Sequence, residues 1–206
     1  MAEELPKAPD KQSNDKIKLE GGIHKRDVFI AAMNRAQKRG VAVDVGAHVG
    51  TWTINLADRF KKVIAFEPDR VNLSYLCNNI KKANLKNVDI YHAAIGSKEG
   101  ECKITDGENN SGQSHVTQGK GTPVYALDDV IEEKIDFLKV DAQGFEFFVL
   151  MGARRIISDS RPVICLDWSG HAERYGISYQ RLEILLKALK MQHVQTVKTN
   201  EIWVPI

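Results

Sequence analysis

Four carboxylates and a histidine stand at or beside the carboxyl ends of apolar runs in this chain. Asp44 lies in Val41-Ala42-Val43-Asp44-Val45, Glu67 follows Val63-Ile64-Ala65-Phe66, and His92 follows Val88-Asp89-Ile90-Tyr91. Asp141 follows Phe137-Leu138-Lys139-Val140, and Asp167 closes Val163-Ile164-Cys165-Leu166. An ionised carboxylate accepts hydrogen bonds from hydroxyl groups, pairs with cations and takes up protons. Each acid taken singly also suits a helix cap or a turn. Fold stability by itself sets no need for acids at four of five such places. In an open parallel sheet, those places are where ligands bind.

The first run enters the turn Gly46-Ala47-His48-Val49-Gly50-Thr51. Gly46 lacks a Cβ and so permits a sharp turn and a close backbone approach to a ligand. Gly50 allows the next helix to pack closely. The dinucleotide fingerprint G-x-G-x-x-G does not fit: with Gly46 as its first glycine the middle position is His48, and with Gly46 as its second the first is Asp44. A pyrophosphate needs that bare backbone, and an acid there repels it. The same acid suits a cationic ligand that donates hydrogen bonds. S-adenosylmethionine has an amino group, a sulfonium and no phosphate. Asp44, Gly46, Ala47, His48, Gly50 and Thr51 are therefore read as its turn, in preference to NAD. Glu67, followed by Pro68, is positioned to accept the ribose hydroxyls; the alternative is a solvated strand-end acid. Asp69 reads as a helix N-cap.

Asp141-Ala142-Gln143-Gly144 follows the fourth sheet strand. Asp141 suits the amino end of the cofactor's methionine, or the orientation or deprotonation of an acceptor hydroxyl; it equally suits a cap for the helix starting near Phe145. Gln143 lies beside it, and Glu146 either complements the helix dipole or reaches the site. His171, after the fifth strand, is the best-placed histidine for a general base; the alternative is an ordinary surface residue. The loop Gly107 to His115 reads as a surface turn or as a lid whose Ser111 and Ser114 hydrogen-bond the acceptor. Cys165 reads as core.

These residues need a scaffold of alternating strands and helices. The pattern predicts an amphipathic helix over 23–39 with Phe29, Ala32, Met33 and Ala36 inward, then strand 41–45, helix 51–60, strand 63–67, helix 70–82 and strand 88–92. Residues 95–127 break the alternation and read as a hairpin, Glu101–Thr105 with Thr122–Leu127. A short helix from Leu127, strand 137–141, one helix from Phe145 to Ile157, strand 163–168 and helix 179–190 follow. Val194–Val197 and Ile202–Pro205 close the chain as a hairpin. The fold class is α/β, Rossmann-like, a mostly parallel sheet with one antiparallel strand near the C-terminus and helices on both faces.

With 206 residues, 43% of them hydrophobic and 27% charged, the chain suits one domain over 21–206 behind a flexible polar tail, 1–20. A net charge of +2 gives no argument for a nucleic-acid or membrane partner. Three cysteines without metal-ligand spacing point to a reducing compartment, the cytoplasm, and no metal is expected.

The chain resembles the FkbM-type methyltransferases, a branch of the class I S-adenosylmethionine-dependent enzymes. The likeness lies in Val43 to Gly50, Val63 to Pro68, His92-Ala93-Ala94-Ile95-Gly96, Ala126-Leu127-Asp128-Asp129-Val130, Ile135 to Glu146, Val149 to Ala153 and Arg161-Pro162-Val163-Ile164. The Leu-Asp-Asp and Lys-Val-Asp-x-x-Gly-x-Glu segments are the family-specific ones. The resemblance implies a seven-stranded class I fold and methylation of a hydroxyl on a sugar, glycan or small metabolite. It further implies that Asp44, Gly46, Glu67, Ala93 and Ala94 line the cofactor and that Asp141 faces the reaction centre. Glu146 and Asp167 are assigned with Ser111 and Ser114 to the acceptor. The family usually has Glu at the place of Gln143 and often Glu at the place of Asp167, so an altered acceptor, or a binding protein without turnover, stays open as an alternative. A divalent ion near Asp141 and Asp167 is a further possibility that no spacing indicates.

Overall fold

The computed structural model describes residues 24–105 and 111–206. The expected tail, 1–20, lies outside them. A seven-stranded sheet has the order β3-β2-β1-β7-β8-β10-β9. Its strands are β1 (Val41–Val45), β2 (Lys62–Phe66), β3 (Val88–Tyr91), β7 (Phe137–Val140), β8 (Val163–Asp167), β9 (Met191–Val197) and β10 (Asn200–Pro205). β10 alone runs against both of its neighbours, β8 and β9; the first five strands in the order are mutually parallel. The central strands are buried on both faces because helices cover both.

On one face α1 (Arg26–Arg35), α2 (Thr51–Ala57) and α3 (Arg70–Lys82) bury Phe29, Trp52 and Leu76, joined by Phe60 just past α2, against Ala42, Val63, Ala65 and Phe137. On the other, α4 (Leu127–Val130), α5 (Glu146–Met151), α6 (Arg154–Ser160) and α7 (Tyr179–Ala188) pack on Val43, Val45, Ile64, Leu138 and Ile164. α3 starts where expected, since the Asp69 side chain accepts from Asn72 N at 2.8 Å.

Two expectations need correction. The single helix over 145–157 is two, because Gly152 O is taken by Asp128 N at 2.8 Å. The Asp128 carboxylate then accepts Arg155 N and Ile156 N, each at 2.8 Å, and so starts α6 from outside. Gly152 sits where a Cβ would come within 2.0 Å of Gly96 O, so no other residue fits that crossing. The hairpin over 95–127 is part of a separate three-stranded sheet, β4 (Ala94–Ile95), β6 (His115–Tyr125) and β5 (Gly100–Thr105). Its β5–β6 ribbon rises beside the carboxyl edge of the main sheet.

Candidate active site

A cavity of about 350 Å³ opens at that edge, within the range of small-molecule sites. β1 delivers Gly46 to it. The φ of Gly46 is +74°, and a Cβ would sit 1.9 Å from Asp141 O, so the turn needs glycine twice over. Gly46 N and Ala47 N both donate to Phe66 O at 3.0 Å, which joins the turn to the end of β2. Gly50, with φ +94°, approaches Leu76 of α3 rather than the sheet.

Glu67 is 4% exposed and lines the cavity. Its Oε2 accepts His48 N at 2.7 Å and its Oε1 accepts Asp69 N at 2.9 Å, leaving a further lone pair on each oxygen for a ligand. Burial pushes its pKa up to about 7 against those two bonds.

Asp44 is placed differently from expectation. It is fully buried beneath the turn, outside the cavity lining, with Oδ2 accepting Thr53 Oγ1 at 2.7 Å and Oδ1 2.9 Å from Lys139 Nζ. Lys139 also donates to Gly46 O at 2.6 Å. Burial works to lower the pKa of Lys139, but Asp44 and Asp141 outweigh it and hold the group above its ordinary value. Asp44 thus shapes the turn through Lys139. The signal for Lys139 was present in the sequence: a charge in the middle of the apolar run Phe137-Leu138-Lys139-Val140.

β7 delivers Asp141, and β8 delivers Asp167; both line the cavity. Burial raises Asp141, but Lys139, Lys25 and the Gln143 amide, which donates to Oδ1 at 2.9 Å, hold its pKa below the usual carboxylate range. Asp167 Oδ1 accepts Thr199 Oγ1 at 2.6 Å and Asn200 Nδ2 at 3.1 Å. Lys25 Nζ lies 3.2 Å from Asp167 Oδ2 and 3.9 Å from Asp141 Oδ2. An ammonium therefore stands where a divalent ion was conceivable, and among the described residues no cluster of three acids, histidines or cysteines is shaped for a metal.

His48, Thr51, Pro68, Ala93, Ala94, Ser114, Gln143 and His171 all line the cavity. Glu146 does not. It is 2% exposed, and its Oε1 accepts Ala142 N at 2.9 Å and Gly144 N at 3.0 Å, so it braces the 141–144 turn from behind. Burial pushes its pKa up to about 7 as well. His92 is turned away, with Nε2 3.0 Å from Pro68 O. Ser111 opens the short 3-10 helix Ser111–Gln113, but its side chain lies outside the described residues. Sequence reasoning missed Lys25, Lys139, Trp52 and Thr199 in the lining, while His115, at the end of the expected lid loop, does line it. Trp52 Nε1 donates to His24 O at 3.0 Å and so holds the segment carrying Lys25 at the cavity.

No curated protein sequence matches the chain. Among solved structures, an FkbM methyltransferase from Methylobacillus flagellatus KT superposes with a TM-score of 0.56 at 20% identity; the match covers 81% of this chain but 42% of that one. Precorrin-6y C5,15-methyltransferase from Geobacter metallireducens GS-15 gives 0.57 at 15% identity, covering 88% of each chain. Magnesium protoporphyrin IX methyltransferase from Synechocystis PCC 6803, solved with bound S-adenosylmethionine, gives 0.54 at 12% identity over 95% of this chain and 85% of that one. These likenesses share the class I methyltransferase fold. Residues 44–192 match the methyltransferase FkbM domain, and the chain belongs to that family, whose cofactor is S-adenosylmethionine.

Proposed function

We propose that this protein is an S-adenosylmethionine-dependent O-methyltransferase acting on a hydroxyl of a sugar, glycan or small metabolite. The observation that carries this reading is the buried Glu67 beside the bare backbone of Gly46, in one cavity with Asp141 and His171. The residues fit the cofactor. Glu67 would receive the ribose hydroxyls, Phe66, Ala93, Ala94 and Ile95 would offer an apolar slot for the adenine, and Asp141 would take the amino end of the methionine; all of them line the cavity. The cofactor, when bound, supplies the methyl group on an already activated sulfonium.

The chain's own work is alignment and proton removal. An Asp141 carboxylate held below its usual pKa is a good ligand for a cation or a hydroxyl and a weak base. The proton of the acceptor hydroxyl is therefore assigned to His171. Ser114, Gln143 and Asp167 supply hydrogen bonds for an acceptor rich in hydroxyls. All three thiols are free, which supports a reducing compartment. No described helix is long and apolar enough to cross a membrane.

Calorimetric titration with S-adenosylhomocysteine, with NAD alongside, tests the reading. Micromolar binding of the former alone is expected, followed by methyl transfer to members of a sugar panel. Binding of NAD alone, or of neither, overturns the cofactor assignment. Cofactor binding without transfer to any hydroxyl would favour the reading in which Gln143 marks a binding protein.

A further inference from the structure

A second depression, about 270 Å³, lies outside the cavity between the first turn of α3 and the β5–β6 ribbon. Arg70 reaches it from α3, Lys103 from β5 and Lys120 from β6; its acid is Asp69, whose Oδ1 accepts Asn72 N at 2.8 Å and whose charge offsets one of the three. Among the described residues none of the three cations has an ion-pair or hydrogen-bond partner for its side chain. The chain as a whole carries only +2, so three cations against one carboxylate in one depression are a local concentration of positive charge. The ribbon is also shaped there. Its register shifts between Cys102 and Lys103, and Lys120 stands between Gly119, φ +152°, and Gly121, φ +121°. That bulge leaves space beside Gly121, where a Cβ would meet no atom within 4 Å. The buried hydroxyl-bearing Thr122, together with Pro68, Val71 and Ile104, completes the lining.

The depression adjoins the cavity. Pro68 lines both, and Ile104 in the depression is paired across the ribbon with Val116 in the cavity. We infer that the depression is a phosphoryl-binding subsite, and that the methyl acceptor is a sugar carrying a phosphate or diphosphate, its anion held by Arg70, Lys103 and Lys120. Arginine offers a planar fork to phosphate oxygens and lysine a point charge, and unpaired cations gain most from a doubly charged anion. The subsite itself stands independently of the proposed methyl transfer; its assignment to the acceptor rests on that reading.

The test titrates the isotopically labelled full chain with inorganic pyrophosphate, glucose 1-phosphate and glucose, followed by backbone amide NMR shifts, first alone and then with S-adenosylhomocysteine present. Saturable millimolar binding of the two phosphorylated probes is expected, with shifts at Lys103, Ile104 and Lys120 to Thr122. Glucose should not bind saturably at these amides. Lys103→Glu with Lys120→Glu should weaken both phosphorylated probes at least tenfold and leave S-adenosylhomocysteine affinity within twofold. Absence of saturable binding, unchanged binding in the double variant, or shifts confined to the main cavity overturns the subsite. Failure of the wild-type chain to bind S-adenosylhomocysteine is a separate result that strikes the cofactor reading and leaves the pyrophosphate arm intact.

Discussion

Lys139 Nζ lies 2.9 Å from Asp44 Oδ1 in a pair closed beneath the cofactor turn, with Asp44 fully buried and Lys139 6% exposed. Two charges out of water stabilise a structure only when each is fully matched. Here Thr53 satisfies the second oxygen of Asp44, and Gly46 O takes another proton of the ammonium. The pair therefore ties the ends of β1 and β7 to the glycine turn. Lys139→Met leaves a buried carboxylate unmatched and should cost about 3–5 kcal/mol in urea unfolding. Lys139→Met with Asp44→Asn should recover at least half of that. A single variant as stable as wild type would show that the pair is dispensable.

Glu67 links affinity to pH. Its free-protein pKa is raised to about 7 by burial, and ribose hydroxyls bond the ionised form best. Cofactor binding should then lower that pKa and release a proton, so S-adenosylhomocysteine affinity should climb as pH rises toward 7 and level off above it. Calorimetry in buffers of different ionisation heat reads the proton directly. Glu67→Gln should flatten the profile, and Glu67→Ala should weaken binding by roughly 1.5–3 kcal/mol. An unchanged affinity would remove the ribose role.

The two buried glutamates also set a stability trend. Folding raises Glu67 and Glu146 from 4.5 to about 7. Between those values the unfolded chain gives up protons that the folded chain keeps, so these groups make stability fall as pH rises from 4.5 to about 7. Asp141, lowered from 3.8, acts below that window. Urea midpoints at pH 5 and 7.5 should differ in that sense, and Glu67→Gln with Glu146→Gln should shrink the difference. A midpoint that rises with pH in wild type would contradict the assignment.

Glu146 offers a contrast between two substitutions. Glu146→Gln keeps an oxygen for Ala142 N and Gly144 N, whereas Glu146→Ala leaves both amides without an acceptor. The alanine variant should lose about 1–3 kcal/mol per abandoned amide and show faster hydrogen exchange at both positions. The glutamine variant should stay close to wild type at pH 7. Equal exchange in the two variants would mean the brace lies elsewhere.

Gly46→Ala places a Cβ 1.9 Å from Asp141 O at φ +74°. The backbone strain alone is of order 1–3 kcal/mol, and the clash must push Asp141 away. Loss of S-adenosylhomocysteine binding together with a lower urea midpoint is expected; retention of both would show that the two turns separate easily.

Much of the fold was legible because local signals and long-range packing agree. Helix 70–82 combines the Asp69 cap with an apolar face, and the apolar runs sit where strands formed. The break at Gly152 was not legible, since it depends on Asp128 and Gly96, distant in sequence. In the site, Glu67 stood out because it closes an apolar run one strand after the glycine turn, and that turn supplies His48 N while Asp69 N comes from two residues on. Asp44 looked like a ligand only while its partner Lys139, 95 positions on, was out of view. Lys25 could not be placed from its own surroundings, because the two carboxylates that receive it belong to β7 and β8.

The reversal of β10 has a consequence for how the chain economises on parts. A parallel last strand would point its end toward the ligand edge and begin at the opposite rim. Running the other way, β10 begins at that edge, with Asn200 across from Asp167 and Thr199 O accepting Trp168 N at 2.7 Å. One tight turn thereby serves as buttress for the sheet margin and as wall for the reaction chamber. A chain cut after Lys198 would lose both at once, so damage to the C-terminal margin would be felt as a chemical defect as well as a mechanical one.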